Sequence, residues 1–198
     1  MLSTRLSVAM ALAATCSARA AVLALAARQS DLTGCAPSFE GHPVSIIYGG
    51  STGVDELAVT GDVAGANVIT RAMSARTPEF LVENSGKFPA SYLIKDQNDH
   101  ELVAYATTIP RADAAIKLNA IDDSEQDDRQ YWFLSCATCA DPSFPVPPGG
   151  VFGTSCQIAN VALDLCIQQT GVLGDPPVLA PCDASEPNQL FNFLREFL

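Results

Sequence analysis

The chain has 198 residues, 48% of them apolar and 17% charged, with 11 basic against 22 acidic side chains. That length supports one domain with a sizeable core. The acidic excess, with no Lys/Arg run, argues against nucleic-acid binding, and two histidines (His42 and His100) leave little material for a histidine-rich metal site.

The first segment reads as an export signal. Arg5 precedes an apolar run from Leu6 to about Ala18, and Ala18-Arg19-Ala20 offers small residues around a cleavage point. Residues 1–20 are therefore a signal peptide, with Ala24-Leu25-Ala26 allowing a cut as late as residue 27. Arg19 keeps the run short of the roughly 20 residues a membrane span needs, and no later segment is apolar enough to span. Export removes Arg5, Arg19 and Cys16, and leaves Cys35, Cys136, Cys139, Cys156, Cys166 and Cys182. An even set in an exported chain favours disulfides.

After a lead-in over residues 21–38, short runs rich in Val, Ile, Tyr and Phe alternate with turn formers. They are Val44–Tyr48, Glu56–Val59, Asn67–Thr70, Glu79–Val82, Ser91–Ile94, Glu101–Tyr105, Ala115–Leu118, Tyr131–Leu134, Ser155–Ile158, Leu163–Ile167, Pro177–Cys182 and Asn188–Phe193. Runs of this kind read as strands, so the chain is all-β. Pro142–Gly150 is a rigid connector. The twelve runs fall into three copies of four, over about 39–86, 87–143 and 150–198, within one domain spanning 39–198.

Three local motifs carry less than they first suggest. Gly49-Gly50-Ser51-Thr52-Gly53 fits the nucleophile elbow, but strand-like and turn-like residues follow where a helix is required. Cys136-Ala137-Thr138-Cys139 lacks a thioredoxin-like setting and a second zinc-ligand pair, so structural disulfides are the better reading. Asp122–Asp128 holds five acids in seven residues without the order of a calcium loop, and reads as a solvated loop.

Leu165-Cys166-Ile167, Pro177–Cys182, Asn188-Gln189-Leu190-Phe191 and Gln130-Tyr131-Trp132 together resemble the repeats of the ricin B-chain-like β-trefoil lectins. The layout is also similar to small secreted fungal proteins of this fold. The resemblance implies a β-trefoil: a six-stranded barrel capped by three hairpins, with Phe80, Trp132 and Phe191 in its core. It also implies a Cys166–Cys182 disulfide, which would add about 3 kcal/mol by loop entropy. Cys156 then pairs with Cys136 or Cys139 across the connector, and Cys35 with whichever remains.

In this family an aspartate, a stacking aromatic and an asparagine hold the sugar. Here those positions fall on Gln168, Ala180 and Asn188 in the third repeat, with Gln189 following. In the second repeat Tyr105 and Arg129 replace the aspartate and asparagine. In the first, Thr60 takes the aspartate position and Thr77-Pro78 replaces Asn-Gln. The resemblance thus implies a secreted, non-catalytic carbohydrate-binding protein without a cofactor, whose contacts are Gln168, Asn188 and Gln189. The alternative is a trefoil that has lost sugar binding and contacts a protein, as a protease inhibitor or secreted effector.

Overall fold

The computed structural model describes residues 34–39, 41–49, 55–73, 79–107, 115–124 and 126–196. The expected signal peptide, Ser51 and Thr77-Pro78 lie outside the described residues.

All twelve expected strands are present. The first repeat contains β1 (Pro43–Tyr48), β2 (Asp55–Val59), β3 (Val68–Ala72) and β4 (Phe80–Asn84). The second contains β5 (Ser91–Asp96), β6 (Leu102–Ala106), β7 (Ile116–Ala120) and β8 (Trp132–Cys139). The third contains β9 (Val151–Asn160), β10 (Cys166–Gln168), β11 (Val178–Ala180) and β12 (Phe191–Arg195).

Pairing closes the first and fourth strand of each repeat into one ring. Around it, β1 pairs with β4, β4 with β5, β5 with β8, β8 with β9, β9 with β12 and β12 with β1, all antiparallel. The second and third strands form the hairpins β2–β3, β6–β7 and β10–β11. This is the β-trefoil, and closure leaves the barrel strands without a free edge.

Alternation along each barrel strand explains why the ring closes on a core. Val44 and Ile46, Phe80 and Val82, Tyr92 and Ile94, Trp132 and Leu134, Phe152 and Ile158, and Phe191 and Phe193 are buried in one cluster. Phe80, Trp132 and Phe191 occupy the first position of β4, β8 and β12, so one residue per repeat recurs at the same place.

Two strands end differently from their sequence reading. Leu163 precedes β10 because Asn160 Oδ1 accepts the amides of Ala162 and Leu163 and Asp164 turns at φ 56°. Asn188 and Gln189 lie in a 3-10 turn, Pro187–Gln189, rather than in β12. Glu186 caps that turn and Pro187 opens it, a combination that favours a turn over a strand. Its counterpart in the second repeat, Asp128–Gln130, is capped by Asp127.

The disulfides are Cys35–Cys139, Cys136–Cys156 and Cys166–Cys182. Cys136 and Cys139 thus belong to different bridges. The first ties down a strap, Gly34–Phe39, whose Phe39 ring packs against Tyr92, Phe152 and Phe193.

Candidate functional site

The third-repeat site is built where β12 starts. Its capped turn sets the positions of Asn188 and Gln189, and barrel closure brings β1 beside them. Tyr48 pairs with Phe191, and Gly49 N–H donates to Leu190 O at 2.9 Å. A Cβ on Gly49 would sit 3.2 Å from that carbonyl, so the close approach uses a glycine.

Gln189 is 1% exposed and its amide is fully engaged. Its Oε1 accepts from Asp183 N–H at 2.8 Å and Gln157 Nε2 at 3.3 Å, while its Nε2 donates to Pro181 O at 2.9 Å and Gln168 Oε1 at 3.1 Å. Gln189 therefore braces the hairpin and cannot face a ligand in this arrangement, unlike the sequence expectation for it. Gln130 repeats the role in the second repeat, bonding Asp122 N–H and Asp122 O.

Gln168 and Asn188 are half-buried and closer to solvent. The Tyr48 hydroxyl donates to Asn188 Oδ1 at 2.6 Å, which fixes the amide plane and directs its Nδ2 away. Glu186 Oε1 accepts Asn188 N–H at 3.0 Å, and Asn188 O accepts Gln169 N–H at 2.9 Å. Among the described residues, no hydrogen bond engages Asn188 Nδ2 or Gln168 Nε2. The site thus offers two amide donors beside a phenol. Tyr48 was missed because it lies 140 residues away in sequence; only closure of β1 onto β12 reveals it.

The corresponding groups of the second repeat satisfy one another. Tyr105 donates to Asp127 Oδ2 at 2.6 Å, and Arg129 binds both oxygens of Asp127 at 2.8 and 2.6 Å. The Arg129 guanidinium also lies 4.7 Å from the Tyr105 ring centre. Burial, then the Asp127 carboxylate, push the Tyr105 phenol up to about 12, while Arg129 holds Asp127 well below the usual carboxylate range. Asp127→Asn removes the second cause and leaves burial in place. The Tyr105 titration, read as ultraviolet phenolate absorbance against Tyr105→Phe, is expected to fall from about 12 while staying above the ordinary phenol value.

The first repeat offers less. Thr60 Oγ1 accepts Asn67 N–H at 3.0 Å within its own hairpin. Strand β2 follows the Gly49–Gly53 segment where an elbow needs a helix. In the acidic run, Asp122 accepts the amides of Ser124, Gln126 and Asp127, so its carboxylate organises the loop. No group of three His, Cys, Asp or Glu among the described residues is placed to hold a metal. A separate cleft of about 310 Å³ opens beneath the strap, between Pro37, Phe39, Val82, Glu83, Asn84 and Tyr92.

No protein-family profile and no curated protein matches the sequence. Solved structures do match the fold. A mosquitocidal holotoxin is 12% identical with a TM-score of 0.59, over 81% of this chain and 18% of that one. The designed threefold-symmetric protein ThreeFoil is 13% identical with a TM-score of 0.53, over 76% and 96%. The Polyporus squamosus lectin, bound to the human-type influenza-binding epitope Neu5Aca2-6Galb1-4GlcNAc, is 14% identical with a TM-score of 0.52, over 79% and 50%. The chain spans under a fifth of the holotoxin and half of the lectin, and likeness at these identities establishes a shared β-trefoil fold alone.

Proposed function

We propose that the protein is a secreted, non-catalytic β-trefoil that binds carbohydrate through Asn188 and Gln168 of its third repeat, with Tyr48 beside them and Gln189 as their brace. The observation that carries this reading is the 2.6 Å bond from the Tyr48 hydroxyl to Asn188 Oδ1. It pre-orients an amide donor next to an aromatic ring, the pairing of polar and apolar surface that a sugar ring requires. Tyr48 supplies from the first repeat the aromatic that Ala180 does not provide. A sugar-bound lectin among the proteins of this fold supports the ligand class by analogy. Three disulfides suit an oxidising compartment, in keeping with a signal peptide over residues 1–20.

A glycan array tests the reading. Saturable binding is expected, and Asn188→Ala is expected to weaken it at least about tenfold, the loss of one to two hydrogen bonds at the site. Silence across the array would favour the second reading, a trefoil that contacts a protein. That reading has its own support in the loop between β10 and β11, where Val172 and Leu173 are 52% and 55% exposed.

A further inference from the structure

Two carboxylates are shut away from water inside this acidic chain. Glu56 of β2 and Asp96 of β5 are both 0% exposed. Glu56 Oε1 accepts from Arg71 Nε at 2.8 Å, while its Oε2 has no hydrogen-bond partner. Asp96 Oδ1 accepts the amides of Asn98 and Asp99 at 2.9 and 2.8 Å, and its Oδ2 is likewise unpartnered. A carboxylate with one oxygen desolvated and unbonded costs more free energy charged than neutral.

The surrounding charges do not remove that cost. Arg71 on β3 is shared between Glu56 and Glu79, which lies just ahead of β4, so two carboxylates face one guanidinium. The β1 side brings only the uncharged Ser45 hydroxyl to Glu56. Asp62 of the β2–β3 loop and Asp99 of the β5–β6 turn face Asp96, and no ion pair reaches it among the described residues. Neighbouring Lys95 is held by Glu83, and His100 Nε2 meets Gln97 O at 3.1 Å. Burial first pushes both carboxyls up, against the pull of Arg71 on Glu56 and of the two amides on Asp96. Glu79 adds to the push on Glu56, and Asp62 and Asp99 add to it on Asp96.

We propose that the fold is tuned to acidic surroundings, with protonation of the buried Glu56 and Asp96 making it more stable at about pH 5 than at about pH 7.5. A group raised in the folded state holds its proton more tightly there. Its contribution is complete below the ordinary values of 4.5 and 3.8, and is lost as pH rises through the folded ones. Asp127 has the opposite sign: Arg129 holds it well below 3.8, so its contribution is lost only in stronger acid. The gain therefore belongs to mild acid. The net charge of −11 adds surface repulsion that also eases there, and salt separates the two effects.

Thermal melts at about pH 5 and about pH 7.5, each in about 0.1 M and about 0.5 M sodium chloride, test the proposal. The melting temperature is expected to be at least about 3 °C higher at the lower pH. Salt screens exposed charges far more than buried ones, so the difference should survive at the higher concentration. It should shrink in Glu56→Gln and in Asp96→Asn, and persist in the exposed control Asp123→Asn. Carbon-13 NMR of the unmodified chain needs no variant: Glu56 Cδ and Asp96 Cγ should titrate above 4.5 and 3.8. Equal or greater stability at the higher pH would overturn the proposal. So would a difference abolished by salt, one unchanged in both buried-site variants, or carboxyl titrations at or below the ordinary values.

Discussion

Trp132→Ala is expected to cost about 3–5 kcal/mol of folding stability, a large share of what a domain of this size possesses. Trp132 is 0% exposed, and its indole N–H donates to Ala104 O at 2.8 Å. Truncation empties the largest fully buried side-chain volume and strands a buried carbonyl, so cavity and polar costs act together. Trp132→Phe retains one aromatic ring, loses the hydrogen bond and leaves a smaller void, and should cost about 1–3 kcal/mol. Urea unfolding followed by circular dichroism separates the two, since Trp132 is the single tryptophan of the chain and neither variant keeps it to report fluorescence. Equal, small losses in both variants would contradict a core built around the first residues of β4, β8 and β12.

Removing the Cys35–Cys139 bridge as a double alanine variant is expected to cost about 4–5 kcal/mol. The two cysteines are 104 residues apart, and by chain entropy a long closed loop restrains the unfolded state most. Cys166–Cys182 closes only 16 residues, so the corresponding double variant should lose less, about 3 kcal/mol. The strap keeps other anchors: Cys35 exchanges backbone hydrogen bonds with Cys136 at 2.9 Å, and Tyr92 donates to Pro37 O at 2.8 Å. These predict that the variant still folds, with a lower midpoint in denaturant. A larger loss from the shorter loop would show that strap packing or residual unfolded structure outweighs loop entropy.

Much of the fold could be read from the chain because its strands follow a local rule. Short β-rich runs between turn formers marked all twelve strands, and the position shared by Phe80, Trp132 and Phe191 marked the threefold repetition. Strand ends were less legible where side chains captured the backbone, as Asn160 does before β10 and Glu186 before β12. The site divided in the same way. Asn188 and Gln168 could be named from sequence, yet the burial of Gln189 follows from hydrogen bonds to three separate segments. Tyr48 and Asn188 meet only after β1 has closed onto β12, a contact no local pattern encodes. The same limit hid the second-repeat knot, since Tyr105 and Arg129 signalled lost sugar ligands but not their mutual engagement.

The most direct measurement is a heteronuclear NMR titration of the isotope-labelled chain with the best glycan from the array. The account predicts saturable shift changes centred on Tyr48, Gln168 and Asn188, including the Asn188 side-chain amide. Changes centred instead on Tyr105 and Arg129, or on the cleft beside Phe39 and Tyr92, would contradict it.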